Sequence, residues 1–279
     1  MSIMPLVSIL LPTHNGARFI RRSIESIRSQ TFKDWELIVV NDGSTDATGA
    51  LVSEIAAIDK RIRLIRFETN KGIQKALNEG LIQAKGELIA RLDDDDVWAD
   101  PEKLKKQIEY LAAHPDCVLV GTGVIVQNEA GDELYRFLNP VSDEKIRRRL
   151  LYRNCFSHSS VLFRRSAAMK FSGYDESEAT LHTEDYDLWL KLGTVGKLAN
   201  LAEYLVRFTS RAGAISNNNK LAQLRRQLAI TGKYGSSTTY RGYPASRIKS
   251  YLRYALYWTF GKFVPARTQE MFIRFYKRA

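Results

Sequence analysis

Glu87-Leu-Ile-Ala-Arg-Leu-Asp-Asp-Asp-Asp-Val-Trp98 is the stretch on which the reading of the fold turns. A short apolar run over 87–92, of strand length and rich in Leu and Ile, stops abruptly at four carboxylates. Toward the N-terminus the same grammar recurs three times. Residues 6–11 run into Pro12-Thr13-His14-Asn15-Gly16, residues 36–40 into Asn41-Asp42-Gly43-Ser44-Thr45-Asp46, and residues 62–67 into Asn70-Lys71-Gly72. Amphipathic helical patterns fill the gaps over 17–30, 45–58 and 72–84, and another follows the aspartates over 101–113. Strand-like runs alternating with helices predict an α/β fold with a mostly parallel sheet flanked by helices. Such sheets bind ligands off the carboxyl ends of their strands, so four successive polar loops at that edge predict one composite site.

The second half is less regular. Residues 117–126 read as a strand, Gly131-Asp132 as a hairpin turn, 143–151 as a helix, 160–163 as a strand, 184–192 as a helix, 205–209 as a last strand and 217–233 as a helix. Tyr234-Gly-Ser-Ser-Thr-Thr239 reads as a boundary. A chain of 279 residues, 44% apolar and 26% charged, suits one large globular domain or one domain with an appendage.

The net charge of +11 is unevenly placed: residues 240–279 hold nine Lys/Arg against one Glu. A basic tail on a near-neutral body argues for a local docking surface. The tail also carries eleven aromatic residues, among them Tyr251, Tyr254, Tyr257, Trp258 and Phe260, a mixture suited to an anionic membrane surface. Packing of these rings on the body as a helical subdomain is the alternative. Nucleic acid is not an expected partner, since no recognisable binding module accompanies the tail. Two cysteines, Cys117 and Cys155, are too few for a disulfide framework and point to a reducing compartment. No run of about 18 apolar residues and no signal-like segment is present, so the expected place is the cytoplasm, peripheral on the inner face of the cell membrane.

Three acidic positions carry chemistry. Like charges as close as Asp93, Asp94, Asp95 and Asp96 raise one another's pKa, and a hard divalent cation such as Mn²⁺ or Mg²⁺, sharing substrate phosphates, would compensate them. A solvated acidic loop or a helix cap is the competing reading, against which the apolar Leu92 and Val97-Trp98 stand on either side. Asp42 could belong to a capping cluster in which Thr45 or Asp46 caps the next helix, or could accept the N–H of a pyrimidine base. Glu184-Asp185 could answer a helix dipole, or supply the carboxylate that takes a proton from an attacking hydroxyl.

Taken in order and spacing, Val7-Ser-Ile-Leu-Leu-Pro-Thr-His-Asn, Asn41-Asp-Gly-Ser-Thr-Asp, Asn70-Lys-Gly, Gly86-Glu-Leu-Ile-Ala-Arg-Leu-Asp-Asp-Asp-Asp, and Gly173-Tyr-Asp-Glu with Glu184-Asp-Tyr-Asp-Leu-Trp resemble family 2 of the glycosyltransferases, of GT-A fold and bacterial surface-polysaccharide type, over residues 5–216. The resemblance implies an inverting glycosyltransferase. It would move a sugar from a nucleoside diphosphate sugar, expected to be a UDP-sugar, to a hydroxyl of a lipid-linked or polysaccharide glycan, with Mn²⁺ or Mg²⁺. It implies a catalytic domain over 1–216 and a helical, basic, aromatic extension over 217–279. Thr13 and Asp42 match nucleobase-holding positions, with Pro12 and Asn15 shaping the loop. Asp93 and Asp95 match the DXD acids, Asp93 near the ribose and Asp95 on the metal, with Asp94 between them in the donor site. Asp185 matches the catalytic base, Glu184 its neighbour near the acceptor, and His158 a segment near the donor sugar and acceptor. One departure stands out: many members end the domain with Tyr-Arg-x-His, whose histidine completes the metal site, whereas this chain has Phe208-Thr-Ser-Arg211. A guanidinium cannot ligate a cation, so Arg211 is expected to contact the diphosphate itself. A non-catalytic nucleotide-sugar-binding scaffold is one rival, opposed by the retention of Asp95 and Asp185. A nucleotidyltransferase is another, and Pro12–Gly16 makes a poor triphosphate loop.

Overall fold

The computed structural model describes residues 6–211 and 220–234 and, beyond these, 237, 239–240, 248–252 and 254–255. Strands β1 (Val7–Thr13), β2 (Trp35–Asp42), β3 (Ile62–Phe67) and β4 (Leu88–Arg91) run parallel in the order β3-β2-β1-β4. Helices α1 (Ile20–Arg28), α2 (Thr48–Ile58) and α3 (Ile73–Gln83) connect them, and α4 (Lys103–Ala113) follows the aspartates. Because side chains alternate across a strand, each strand feeds both layers. Leu10, Ile38 and Val40 pack with Ala76, Leu77 and Leu81 of α3 on one face. Ile9, Leu11, Leu37 and Val39 pack with Ile20, Ile24 and Ile27 of α1 and with Val52 and Ile55 of α2 on the other.

The sheet continues through strands of mixed direction. β8 (Leu162–Arg164) is antiparallel to β4 and to β6 (Cys117–Gln127), and β9 (Lys197–Thr209) is parallel to β6. The short β5 (Val97–Trp98) closes that edge antiparallel to β9, and β7 (Glu133–Phe137) pairs off β6. Helices α5 (Asp143–Leu150), α6 (Arg165–Met169), α7 (Glu184–Leu192) and α8 (Lys220–Tyr234) cover this half. The parallel, helix-flanked half is as read from the sequence, and α7 matches its expected bounds.

The last strand corrects the reading of 205–209: β9 is thirteen residues long. Its first half escaped notice because Asn200 and Glu203 interrupt the apolar pattern. Asn200 is nevertheless buried, where its amide donates to Pro140 O at 2.8 Å. Register shifts on β6 beside Thr122, Gly123 and Val124 bend the pair. A Cβ on Gly123 would press on the Tyr204 ring, so the strands approach this closely only with glycine there.

Asp46 caps α2, its Oδ1 accepting Thr48 N at 3.0 Å, as anticipated. Asp100 Oδ1 accepts Glu102 N at 2.7 Å at the start of α4, so residues 93–96 are not that helix's cap. α8 packs against α7, with Ile230 buried in the cluster that holds Leu188, Leu190 and Leu192. Tyr240 is buried beside them and its hydroxyl donates to Leu190 O at 3.0 Å. Ile230, Tyr234 and Tyr240 therefore belong to the same core as α3 and α7. Most of the basic aromatic tail, and the expected boundary near residue 216, lie outside the described residues. Among the described residues no helix is long and apolar enough to cross a membrane. Cys117 and Cys155 are free and buried, and burial pushes their thiols up to about 11 and about 12.

Candidate active site

The four polar loops interlock at the carboxyl edge of the parallel strands. His14 Nδ1 lies 2.6 Å from Asp42 O, and Asn15 N donates to Ser44 Oγ at 2.9 Å while Asn15 Oδ1 accepts Thr45 N at 2.9 Å. Asn15 adopts a positive φ of 55°, which asparagine tolerates better than most residues. Asp42 accepts Lys71 N at 2.6 Å and Gly72 N at 2.9 Å, one on each oxygen. Its first task is thus to tie the third loop to the second, which places any base contact on its remaining lone pairs. Thr13, just after Pro12, donates to Asp94 Oδ2 at 2.5 Å and joins the first loop to the fourth. Gly16 lies beneath this contact: a Cβ there would fall on Asp94 Oδ2 and Thr13 Oγ1.

Each aspartate of the run has its own compensation. Arg91, buried at the end of β4, donates to Asp93 Oδ1 at 2.6 Å, and Ser159 Oγ lies 3.0 Å from Asp93 Oδ2. Burial pushes Asp93 upward, but the Arg91 guanidinium and the Ser159 hydroxyl outweigh it and hold the carboxyl below its ordinary value. Asp94 is pushed up to about 7, by burial first and then by its charged neighbours Asp95 and Asp93. Asp95 is raised by burial and by Asp93, while Arg211, whose Nε lies 2.6 Å from Asp95 Oδ2, opposes the rise. Fully buried Asp96 is raised well above its ordinary value by burial, and accepts Thr209 N at 2.9 Å while lying 2.5 Å from Ser159 Oγ. Burial, ahead of mutual repulsion, is the larger cause for the three that rise.

A second acidic pair opens α7. Asp185 Oδ2 accepts Asn154 Nδ2 at 2.8 Å and Oδ1 accepts Tyr186 N at 2.6 Å. Burial nevertheless pushes Asp185 up to about 6 and Glu184 up to about 8, with the Asp185 charge adding to the latter. His158 Nε2 lies 3.0 Å from the Tyr174 hydroxyl, its ring stands edge-on to Trp189, and burial pushes its pKa down to about 3, so it is neutral. Tyr174 is held by Asn78 of α3, which accepts Tyr174 N and donates to Tyr174 O, both at 2.8 Å. The Arg91 charge acts on Asp93, His158, Tyr174, Glu184 and Asp185 alike, which makes one electrostatic centre of two acidic clusters far apart in sequence.

The structure thus brings Asp93, Asp94, Asp95, His158, Glu184, Asp185 and Arg211 around the end of β4, with Pro12, Thr13, Asn15 and Asp42 in the adjoining loops. Sequence reasoning gave no individual role to Arg91, Asp96, Asn154, Ser159 or Tyr174. Arg91 and Asp96 lay inside a motif already singled out, and an arginine closing an otherwise apolar strand was a usable signal.

Among the described residues no three His, Cys, Asp or Glu side chains gather as a cage for a metal ion. The donor set fits a cation that takes most of its ligands from phosphate and water, as Mg²⁺ and Mn²⁺ do at phosphate sites. Asp95 faces such a seat, since a cationic group already rests against it. Asp93 is the weaker second ligand, with Arg91 and Ser159 engaging both of its oxygens.

Comparison with known proteins identifies the family and the fold. Residues 8–176 match the family described as Glycosyl transferase family 2. Escherichia coli WfgD, described as a UDP-Glc:alpha-D-GlcNAc-diphosphoundecaprenol beta-1,3-glucosyltransferase, is 32% identical over 252 residues, covering 89% of this chain and 92% of that protein. The S. aureus TarS 1-349 complex with UDP-GlcNAc superposes with a TM-score of 0.70 at 19% identity, over 94% of this chain and 77% of that one. The mannosyltransferase PcManGT from Pyrobaculum calidifontis, in complex with GDP-Man and Mn²⁺, superposes with a TM-score of 0.64 at 15% identity, over 98% and 80%. The two structures share the fold, and the family match spans the loops that build the acidic edge: the chain belongs to glycosyl transferase family 2 and is a glycosyltransferase of GT-A fold.

Proposed function

We propose that the chain moves a sugar from a UDP-sugar to a hydroxyl of a lipid-linked or polysaccharide glycan, inverting the anomeric centre, in the assembly of a polysaccharide. The observation that carries this reading is the Glu184–Asp185 pair at the start of α7, which shares the Arg91 field with the donor-side aspartates. With a value of about 6, Asp185 is ionised at neutral pH and basic enough to take the proton of an attacking hydroxyl. Asn154 orients that carboxylate. Glu184, near 8, keeps its proton and adds no second charge at neutral pH. One general base with no covalent partner gives a single displacement from the face opposite the diphosphate. Thr13, Asp42 and Asn15 would hold the base and ribose end. Asp95, with Asp93 second, would hold Mn²⁺ or Mg²⁺, which when bound neutralises charge on the departing diphosphate. The donor in the TarS complex and the acceptor named for WfgD support the substrate classes. Asp185→Asn, tested with a UDP-sugar panel and a diphosphate-lipid glycan, is expected to lower turnover by about 10²–10⁴-fold while UDP binding persists. A near-normal rate would remove Asp185 from the chemistry.

A further inference from the structure

A guanidinium rests on the carboxylate assigned above to the cation. Arg211 Nε lies 2.6 Å from Asp95 Oδ2, and the guanidinium also stands 5.8 Å from the centre of the Phe19 ring. This placement is built in two residues earlier. Thr209 N donates to Asp96 Oδ1 at 2.9 Å and Thr209 Oγ1 to Asp95 O at 2.5 Å. Arg22 of α1 donates to both Asp95 O and Thr209 Oγ1, each at 2.9 Å. The end of β9 is thereby riveted to the aspartate loop, and this delivers Arg211 to Asp95. Its side chain remains 40% exposed, against a carboxylate that is 15% exposed.

We infer that Arg211 is the resident competitor for the cation at Asp95, so that the divalent ion enters together with the donor's diphosphate and not ahead of it. The inference rests on the metal-assisted reading above. A divalent ion arriving alone must displace a guanidinium from its carboxylate and then sit beside that positive charge, a cost paid twice over. A diphosphate removes both obstacles. It offers the guanidinium a better, bidentate anionic partner and supplies the ion's missing oxygen ligands. Metal and nucleotide therefore bind with positive coupling, and by linkage each tightens the other by the same factor. Arg211 thereby sets the order in which the site assembles, and the chain keeps a protected Asp95 between turnovers.

The test is binding, read without turnover. Mn²⁺ is titrated into the full chain by electron paramagnetic resonance, with and without UDP, for the native protein, Arg211→Ala, Arg211→Lys and Asp95→Asn. The half-exposed Arg211 side chain can be removed without opening the core, and unchanged circular dichroism checks this. Arg211→Ala is expected to bind free Mn²⁺ about tenfold more tightly, and to lose a similar factor from the tightening that UDP confers. Arg211→Lys should lie between the two, and Asp95→Asn should abolish uptake. Equal Mn²⁺ affinity in the native chain and Arg211→Ala, with UDP-dependent uptake intact, would overturn the competition alone. Absence of Mn²⁺ uptake in every variant, even with UDP, would overturn the metal-assisted reading as well.

Discussion

Asp93 to Asp96 meet four different partners: a buried arginine, a threonine hydroxyl, an exposed arginine, and a serine–backbone pair. Sequence alone could not apportion these roles, because each partner lies on a different loop or strand. Asp185 is set in the same way by distant residues. Burial raises it, while Tyr186 N and Asn154 hold it down, leaving it at about 6. A base must be ionised to act, so turnover at saturating donor is expected to rise with pH through about 6 and level off above. Asn154→Ala withdraws a donor that favours the carboxylate and should move this limb to higher pH. A pH–rate profile of both proteins checks this, and an unmoved limb would show that another group titrates.

At the scale of elements, the parallel half was legible because each apolar run and its polar loop are contiguous in sequence. β5, two residues long, and the first half of β9 were not, because pairing with β9 and β6 makes them strands where local pattern does not. α4 carries another tertiary effect, a lysine on its inner face. Lys103 is fully buried, its ammonium position 4.2 Å from the Trp98 ring centre, donating to Gln107 Oε1 at 2.7 Å. Burial alone pushes its pKa well below 10.5. The unfolded chain then binds a proton that the folded chain does not, so this contribution to stability is complete above 10.5 and declines as pH falls toward the depressed value. Between pH 9 and pH 7 the native protein should lose more stability than Lys103→Met. Urea unfolding at the two pH values measures the difference, and identical pH dependence would place a charged lysine in the fold.

Across the whole molecule, charge is divided between an acidic, deeply set catalytic edge and a C-terminal tail of nine basic residues against one acid. The family and the composite edge were legible from motif order, whereas Arg91 as the hub joining two acidic clusters required the fold. The tail's composition supports docking at an anionic membrane, where a lipid-linked acceptor would be met in two dimensions. Flotation with phosphatidylglycerol vesicles should retain the full chain and release one ending at Tyr240, and equal retention would exclude the tail. The central claim is that one carboxylate at the start of α7 drives a single displacement on a sugar held at the aspartate loop. Proton NMR of the initial transfer product reads it most directly: the account predicts an anomeric configuration opposite to that of the UDP-sugar, and a product that retains the donor's configuration would contradict it.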